Sequence, residues 1–271
     1  MKQIITRIII VMLGFAAFMP AGSAAQSAKG VMELWDSRED GETVVSDTLM
    51  ILINKNNSKR VRNIKNIRKD YGPDTKGIIF FLSPSDVRNT AYMSFDWDDP
   101  SKEDDSWLYL PALQKVKRVA AADRSGSFMG SDFTYSDISG IEIEDWAYSF
   151  AKENGTLDGQ DVWIIQGLPK PSAKSKVIQE TGYIKSLMWI RKDSHMLVKG
   201  KYWVKEGKKI KYFKAEDIKK VDGIWTAHTL TMVTTAKGRL THSSVFKFSN
   251  VTYNVPVKDN TFTTRRMERG L

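Results

Sequence analysis

Few side chains in this sequence have the type and spacing that catalysis or metal binding requires. The three histidines, His195, His228 and His242, lie far apart and lack the spacing of a zinc site. Ser127 lies outside any G-x-S-x-G frame, so it does not form a nucleophile elbow. The sequence also contains no phosphate-binding loop and no dinucleotide fingerprint. We therefore expect no catalytic residue, no cofactor and no enzyme activity, and a hydrolase is the weakest alternative.

Carboxylates are concentrated in two short regions. The run from Asp96 to Asp105 is densely acidic, and closely spaced carboxylates can bind calcium. This run lacks the glycine turn and the terminal glutamate of a calcium-binding loop, so we interpret it as a solvated hairpin loop and expect no metal. Glu142, Glu144 and Asp145 could include a general acid, but the solvated end of a short helix is the simpler interpretation.

The most unusual stretch runs from Trp107 to Asp137 and combines glycines with large apolar side chains. Gly126 and Gly130 allow backbone angles closed to other residues, so they could be the hinges of a loop. Such a loop either fills the core of a β protein or forms a mobile lid over an apolar cavity, and the residues alone leave both interpretations open. The candidate cavity and lid residues are Trp107, Tyr109, Phe128, Met129, Phe133 and Tyr135.

The same stretch resembles a known family. The runs W-L-Y-L-P-A-L-x-K-V-x-R from Trp107 and R-S-G-S-F-M-G-S-D-F-x-Y-x-D from Arg124 are similar to the LolA-like outer membrane lipoprotein-sorting proteins. Further matches at Pro84–Arg88, with Thr90-Ala91, and at Asp259–Phe262 extend the similarity through nearly the whole chain after residue 25. The resemblance implies an unclosed β-barrel with an α-helical lid and a hydrophobic hollow able to hold acyl chains.

The resemblance also implies a function and partners. It favours a carrier or chaperone that shields the acyl chains of lipoproteins or other lipids during transport towards the outer membrane. Members of this family often accompany inner-membrane exporters of the resistance-nodulation-division type. An accessory subunit of such an exporter is therefore the alternative. We expect a monomer that binds no nucleic acid.

The hydrophobic periodicity predicts mainly β-structure. Apolar residues spaced three and four apart indicate a short helix over 28–38, whereas alternation from Val44 onwards predicts strands. Glycine-containing turns punctuate the later strands as in an antiparallel meander, and a long meander must curl or close. We expect one domain over residues 26–271: a strongly curved antiparallel sheet that forms an incomplete, half-open β-barrel with a few short helices as lid. Local expectations are a turn at Asn154-Gly155, a loop over Pro169–Lys176 and a helix cap at Ser136 or Asp137.

The amino terminus has the pattern of a secretory signal peptide. Lys2 and Arg7 precede an apolar run from Ile8 to Met19, and Ser23-Ala24-Ala25 forms a cleavage site. The run is shorter than the roughly 20 residues that span a bilayer. The sequence contains no cysteine, so we expect neither lipid attachment nor disulfides. We therefore expect residues 1–25 to be removed and the protein to be soluble in the periplasm.

The charge balance is basic, with a formal net charge of +9 at pH 7. A basic protein is attracted to anionic head groups or to acidic partners, although a basic surface without a partner is equally consistent with this value. The candidate contact residues lie in two predicted strands: Arg60, Arg62, Lys65, Arg68, Lys115, Lys117 and Arg118.

Overall fold

One antiparallel β-sheet dominates the structure, a computed structural model that describes residues 26–99 and 101–271. Its 13 strands are β1 (Thr43–Asn54), β2 (Lys59–Tyr71), β3 (Asp74–Ser83), β4 (Ala91–Asp96), β5 (Asp105–Leu110), β6 (Lys115–Arg118), β7 (Trp146–Leu157), β8 (Gln160–Pro169), β9 (Tyr183–Arg191), β10 (Leu197–Val204), β11 (Lys209–Val221), β12 (Ile224–Ala236) and β13 (Arg239–Tyr253). The helices are α1 (Ala28–Asp36), α2 (Tyr135–Ser139), α3 (Lys174–Thr181) and α4 (Thr264–Arg269). The expected signal peptide lies outside the described residues.

The order of the strands determines the shape of the sheet. Strands β1 and β13 pair at its centre. From β1 the strands follow outward in sequence order to β6, and from β13 they follow in reverse order to β7. The strands β6 and β7 are consecutive in the chain but form opposite edges, so residues 119–145 must pass over one face. We call residues 119–145 the crossing segment. The two edges do not pair with each other, which confirms the predicted curved sheet that forms an incomplete barrel.

Strand alternation gives the sheet two different faces. Phe81 and Tyr92 point to the concave face, where they pack with side chains of the crossing segment. Their neighbours Phe80 and Met93 point to the opposite face, where Met267 of α4 covers them. Helix α1 packs near the β7 edge, where Val31 and Met32 contact residues of β8 and β9 (Ile165, Met188 and Ile190). The concave face is therefore covered mainly by the crossing segment.

Several hairpins have the turn chemistry that the sequence predicts. Asp158-Gly159, Asp222-Gly223 and Lys237-Gly238 have positive φ at both residues, which is the conformation that matches the twist of paired strands. The expected turn at Asn154-Gly155 is wrong, because both residues lie inside β7. Gly155 follows a register shift between β7 and β8, and glycine inside a strand often marks such an irregularity.

Two helix ends also differ from the expectation. The loop after Pro169 is shorter than predicted, because α3 begins at Lys174 and buries Val177. The cap of α2 is Thr134, whose side chain accepts a hydrogen bond from the Asp137 backbone while the Asp137 side chain accepts one from the Thr134 backbone. Among the described residues, no helix has the length and apolar character needed to cross a membrane.

Candidate ligand site on the concave face

The crossing segment buries its aromatic side chains against the concave face. Phe128 and Phe133 are only 1% and 3% exposed. The ring of Phe128 contacts the rings of Tyr92 and Tyr135 edge-on, with centroids 5.4 Å apart in each pair. Phe133 stacks on Phe246 of β13 at 4.6 Å. In this conformation, the protein's own aromatic side chains fill the space between the segment and the sheet.

Polar contacts hold the crossing segment in place. Buried Arg62 of β2 donates a hydrogen bond of 2.5 Å from Nη1 to the carbonyl oxygen of Met129. Met129 has φ of 49°, in the left-handed region, and Gly130 follows with φ of 77°. Glycine adopts this conformation without steric cost, so Gly130 lets the chain turn sharply here. Gly126 is needed for a different reason, because a side chain there would lie 2.9 Å from the carbonyl oxygen of Asp123.

An open cavity of about 370 Å³ lies beside the crossing segment. Its walls come from the segment itself, from the end of α3, and from strands β9 to β13 with the β10–β11 connection. Small hydroxyl residues and charged side chains dominate the lining, and apolar groups such as Tyr183 and Val204 complete it. The volume is within the usual range for a small-ligand site.

The buried carboxylate of Asp132 organises one wall of this cavity. Its Oδ1 accepts a hydrogen bond from Thr234 Oγ1, and its Oδ2 accepts one of 2.7 Å from Ser244 Oγ. His242 Nδ1 lies 2.6 Å from the same Oδ2. A carboxylate accepts hydrogen bonds, so Nδ1 donates and Nε2 is left for another partner. Within the described part of the chain, no hydroxyl is hydrogen-bonded to Nε2, so the pair lacks the nucleophile of a hydrolase triad.

A second wall contains Tyr183 and Lys211, and both contact Asp137 of α2. Tyr183 Oη donates to both carboxylate oxygens of Asp137, at 3.0 and 2.7 Å. Lys211 Nζ donates to Tyr183 Oη at 3.3 Å and lies 3.9 Å from Asp137 Oδ2. Burial, followed by the Asp137 charge, raises the pKa of Tyr183 well above its usual value. Burial lowers the pKa of Lys211, and Asp137 opposes that effect.

A carboxylate cluster lies near the edge of the crossing segment. Oxygens of Asp96, Asp104 and Glu142 lie within 4.8 Å of one another, and Arg124 Nη2 is 3.0 Å from Asp104 Oδ2. Burial, followed by the charges of Asp104 and Glu142, raises the pKa of Asp96 to about 7. Burial also raises the pKa of Glu142. The oxygens could hold a cation, but Arg124 and the raised pKa of Asp96 already reduce their negative charge.

This cluster corrects two interpretations of the sequence. The run from Asp96 to Asp105 is not a uniformly solvated loop, because the Asp104 side chain is only 8% exposed beside Arg124. Glu142 is not at a solvated helix end either, because it faces Asp96 and Asp104. The contact that causes both differences comes from the crossing segment, which brings Arg124 and Glu142 to the end of β4.

The structure brings together four of the six predicted lid residues. Phe128, Phe133, Met129 and Tyr135 belong to one cluster on the concave face. Trp107 and Tyr109 belong to the cluster on the opposite face, under α4, because their strand alternates and only the intervening Leu108 points inward. Whether the four inward residues open as a lid stays a prediction.

The seven predicted contact cations do not share one surface. Arg62 is buried under the crossing segment, and Arg68 makes hydrogen bonds of 2.8 and 3.0 Å to the carboxylate of Asp40. Lys65 pairs with Asp47, and its position five residues from Arg60 places it on the other face of β2. Contact with anionic partners therefore stays a prediction for the exposed members, which are Arg60, Lys115, Lys117 and Arg118.

Sequence reasoning missed the polar residues that line the cavity. Asp132 lies between Ser131 and Phe133 in the central motif, and its polarity within an apolar loop is the only local signal. His242 was assigned no role, and Lys211 was not selected at all. These residues come from distant parts of the chain, so no sequence spacing identifies them together.

Comparisons with solved structures identify the class of fold. A LolA superfamily protein from Nitrosomonas europaea has a TM-score of 0.65 at 15% identity, with 88% of this chain and 98% of its own covered. At this identity, the likeness shows a common fold. A Vibrio parahaemolyticus domain named for outer membrane lipoprotein sorting has a TM-score of 0.78 at 27% identity, covering 89% of this chain and 98% of its own.

The family follows from two further findings. Residues 73–269 match the sequence model of a family described only as uncharacterized protein. A DUF1329 family protein from Desulfovibrio piger has a TM-score of 0.79 at 26% identity, covering 89% of this chain and 97% of its own. The chain belongs to this DUF1329 family, which confirms the predicted LolA-like resemblance. None of the curated proteins matches it.

Proposed function

We propose that this protein is a periplasmic carrier that shields the acyl chains of lipoproteins or other lipids on their way to the outer membrane. The observation that carries the proposal is the apolar contact between the crossing segment and the concave face. An acyl chain would replace the protein's own side chains there, chiefly Phe128, Met129 and Phe133. The 27% identical domain named for lipoprotein sorting supports this assignment.

The proposed carrier has a closed state and a loaded state. In the closed state, Phe128 fills the hollow against Phe81 and Tyr92. In the loaded state, the crossing segment moves away, and the ligand supplies the apolar contacts that the aromatic side chains give up. The acyl chain gains about 25 cal/mol for each Å² of its apolar surface that leaves water, and this gain offsets the contacts that the aromatic side chains give up.

Phe128→Ala tests the proposal, because it removes the side chain that occupies the hollow. We expect a fluorescent fatty-acyl probe to bind and to exchange at a rate changed by about fivefold or more. The matched control is Phe80→Ala, which removes an equally buried ring from the opposite face of β3. Both truncations should destabilise the fold by about 3–5 kcal/mol, measured by denaturant melts.

The comparison between the two variants decides the outcome. Altered probe exchange in Phe128→Ala, with normal exchange in Phe80→Ala, supports a hollow on the concave face. Equal stability loss with unaltered exchange in both variants means that Phe128 is an ordinary core residue. A wild-type protein that binds no acyl probe would overturn the carrier function itself.

A further inference from the structure

The polar cavity beside the crossing segment has an excess of positive charge. Lys205 and Lys209 are exposed at its mouth, and Lys211 lies deeper. Among the side chains that the structure describes, neither Lys205 nor Lys209 is paired with a carboxylate. His242 adds a ring nitrogen that Asp132 leaves without a partner.

The two carboxylates nearest these lysines, Asp132 in the cavity wall and Asp137 beside Tyr183, already accept other hydrogen bonds. Asp132 already accepts hydrogen bonds from Thr234, Ser244 and His242. Asp137 accepts from Tyr183 Oη and, at 2.8 Å, from the Thr134 backbone. Saturated carboxylates of this kind fix the shape of the walls, whereas the lysines are available for a ligand.

Lys211 is the strongest indication that the cavity suits an anion. Its side chain is 12% exposed, yet its only hydrogen bond among the described residues is the one of 3.3 Å to Tyr183 Oη. An ammonium group has three donors, and a buried charge is costly unless it is paired. Its nearest carboxylate oxygen, Asp137 Oδ2, lies 3.9 Å away, so an anionic group in the cavity would give Lys211 closer acceptors.

The cavity adjoins the apolar hollow. Tyr183 lines the cavity and also stacks on Tyr202 in the concave core, with ring centroids 4.9 Å apart. Asp132 faces the cavity, while the next residue, Phe133, packs on Phe246. A ligand with one charged end and one apolar end would therefore meet both regions at once.

We propose that this cavity binds the phosphate group of an anionic lipid, with Lys205, Lys209 and Lys211 as its ligands and His242 as a further donor. Lysine binds phosphate as a point charge, and the surrounding hydroxyl groups can donate to its oxygens. This inference rests on the proposed carrier function and adds the class of cargo: phospholipid-like amphiphiles whose head group enters the cavity.

Three probes separate the head group from the acyl chains. The first probe, dihexanoyl phosphatidylglycerol below its critical micelle concentration, has both acyl chains and a phosphate group. The second, dihexanoylglycerol, has only the acyl chains, and the third, glycerol 3-phosphate, has only the phosphate group. We expect the wild type to bind the phospholipid at least tenfold more tightly than dihexanoylglycerol in titration calorimetry. The phosphate probe used alone should bind weakly at the same site.

The variants test the lysines directly. Lys205→Gln combined with Lys209→Gln changes only exposed side chains, so it should fold normally and lose about tenfold in affinity for the phospholipid. Lys211→Met should lose a similar factor, and thermal melts verify its folding. The matched control is Lys214→Gln, on the opposite face of the same strand and paired with Glu216 at 2.7 Å, which should bind like the wild type.

Each outcome has one meaning. Equal affinity for dihexanoylglycerol and the phospholipid overturns the phosphate site but leaves the carrier standing. Binding of glycerol 3-phosphate that depends on the lysines, without binding of either lipid, supports the phosphate site and overturns the carrier. Equal affinity losses in the Lys214 control and the cavity variants overturn the site, because the effect is then one of net charge. Binding of none of the three probes overturns both proposals.

Discussion

Asp96 shows how one residue can make the stability of this protein depend on pH. Burial, then Asp104 and Glu142, raises its pKa from 3.8 to about 7. The folded protein therefore binds this proton more tightly than the unfolded chain. Its stabilising contribution is fully present below about pH 4 and is lost as the pH rises through about 7.

Asp96→Asn should reduce this pH dependence, because the amide imitates the protonated acid. We expect the variant to be more stable than the wild type at pH 8, by up to about 4 kcal/mol, and this difference to be smaller at pH 5 and to vanish below about pH 4. Urea melts at both pH values measure the difference. The control is Asp98→Asn, an exposed position two residues further along the chain, just after β4. A pH profile of Asp96→Asn that parallels the wild type would contradict the role of Asp96.

At the scale of elements, the crossing segment is the part that must move in a carrier. Arg62 links the segment to β2 through its hydrogen bond of 2.5 Å to the Met129 carbonyl oxygen. The guanidinium of Arg62 also lies over the ring of Phe81, 5.9 Å from its centre. Elsewhere the segment is held by apolar packing, by the Asp132 contacts to β12 and β13, by Tyr183 on Asp137 and by Arg124 on Asp104. Arg62 is therefore the natural position at which to loosen the segment.

Arg62→Met should loosen the segment while keeping an apolar stem over Phe81. We expect faster amide hydrogen exchange over residues 124–135 and a stability loss of about 1–2 kcal/mol, because the Met129 carbonyl loses its donor. Mass spectrometry of peptides from this region measures the exchange. Arg60→Met is the control, since it removes an exposed arginine from the same face of β2. Unchanged exchange in Arg62→Met would mean that the hydrogen bond does not restrain the segment.

At the scale of the whole molecule, the sheet connects the two ends of the chain. Strand β1 pairs with β2 on one side and with β13 on the other, so Met50 lies beside both Arg62 and Phe246. The crossing segment packs on strands from both halves. No part of the sheet can separate without breaking the central ladder or the concave core.

The whole chain should therefore unfold in one cooperative transition. Far-ultraviolet circular dichroism and tryptophan fluorescence should give coincident midpoints in urea, because the strands of both halves lose their pairing together. Limited proteolysis should yield no stable half. Two separate transitions, or a protease-resistant fragment that ends near the crossing segment, would show that the two arms of the sheet are independent domains.

The sequence by itself determined the local structure and the kind of fold. Alternating apolar residues located most strands, and Asp-Gly pairs located hairpin turns, because both depend on neighbours within a few positions. The central motif with Phe128 and Gly130 identified the unusual segment, and its resemblance to LolA-like proteins gave the curved open sheet. The alternation of side chains along a strand also predicts that Phe80 and Phe81 point to opposite faces of the sheet. It does not show which part of the chain covers each face.

Only the tertiary structure decided the candidate site. Asp132 and His242 are 110 residues apart in the sequence, and Arg62 and Met129 are 67 residues apart. Each pair is in contact because the crossing segment passes over strands that are remote in the chain. The same passage turned Asp104 inward beside Arg124. The pairing of β1 with β13 brings these parts together, and such long-range pairing is set by the packing of the whole sheet rather than by any local pattern.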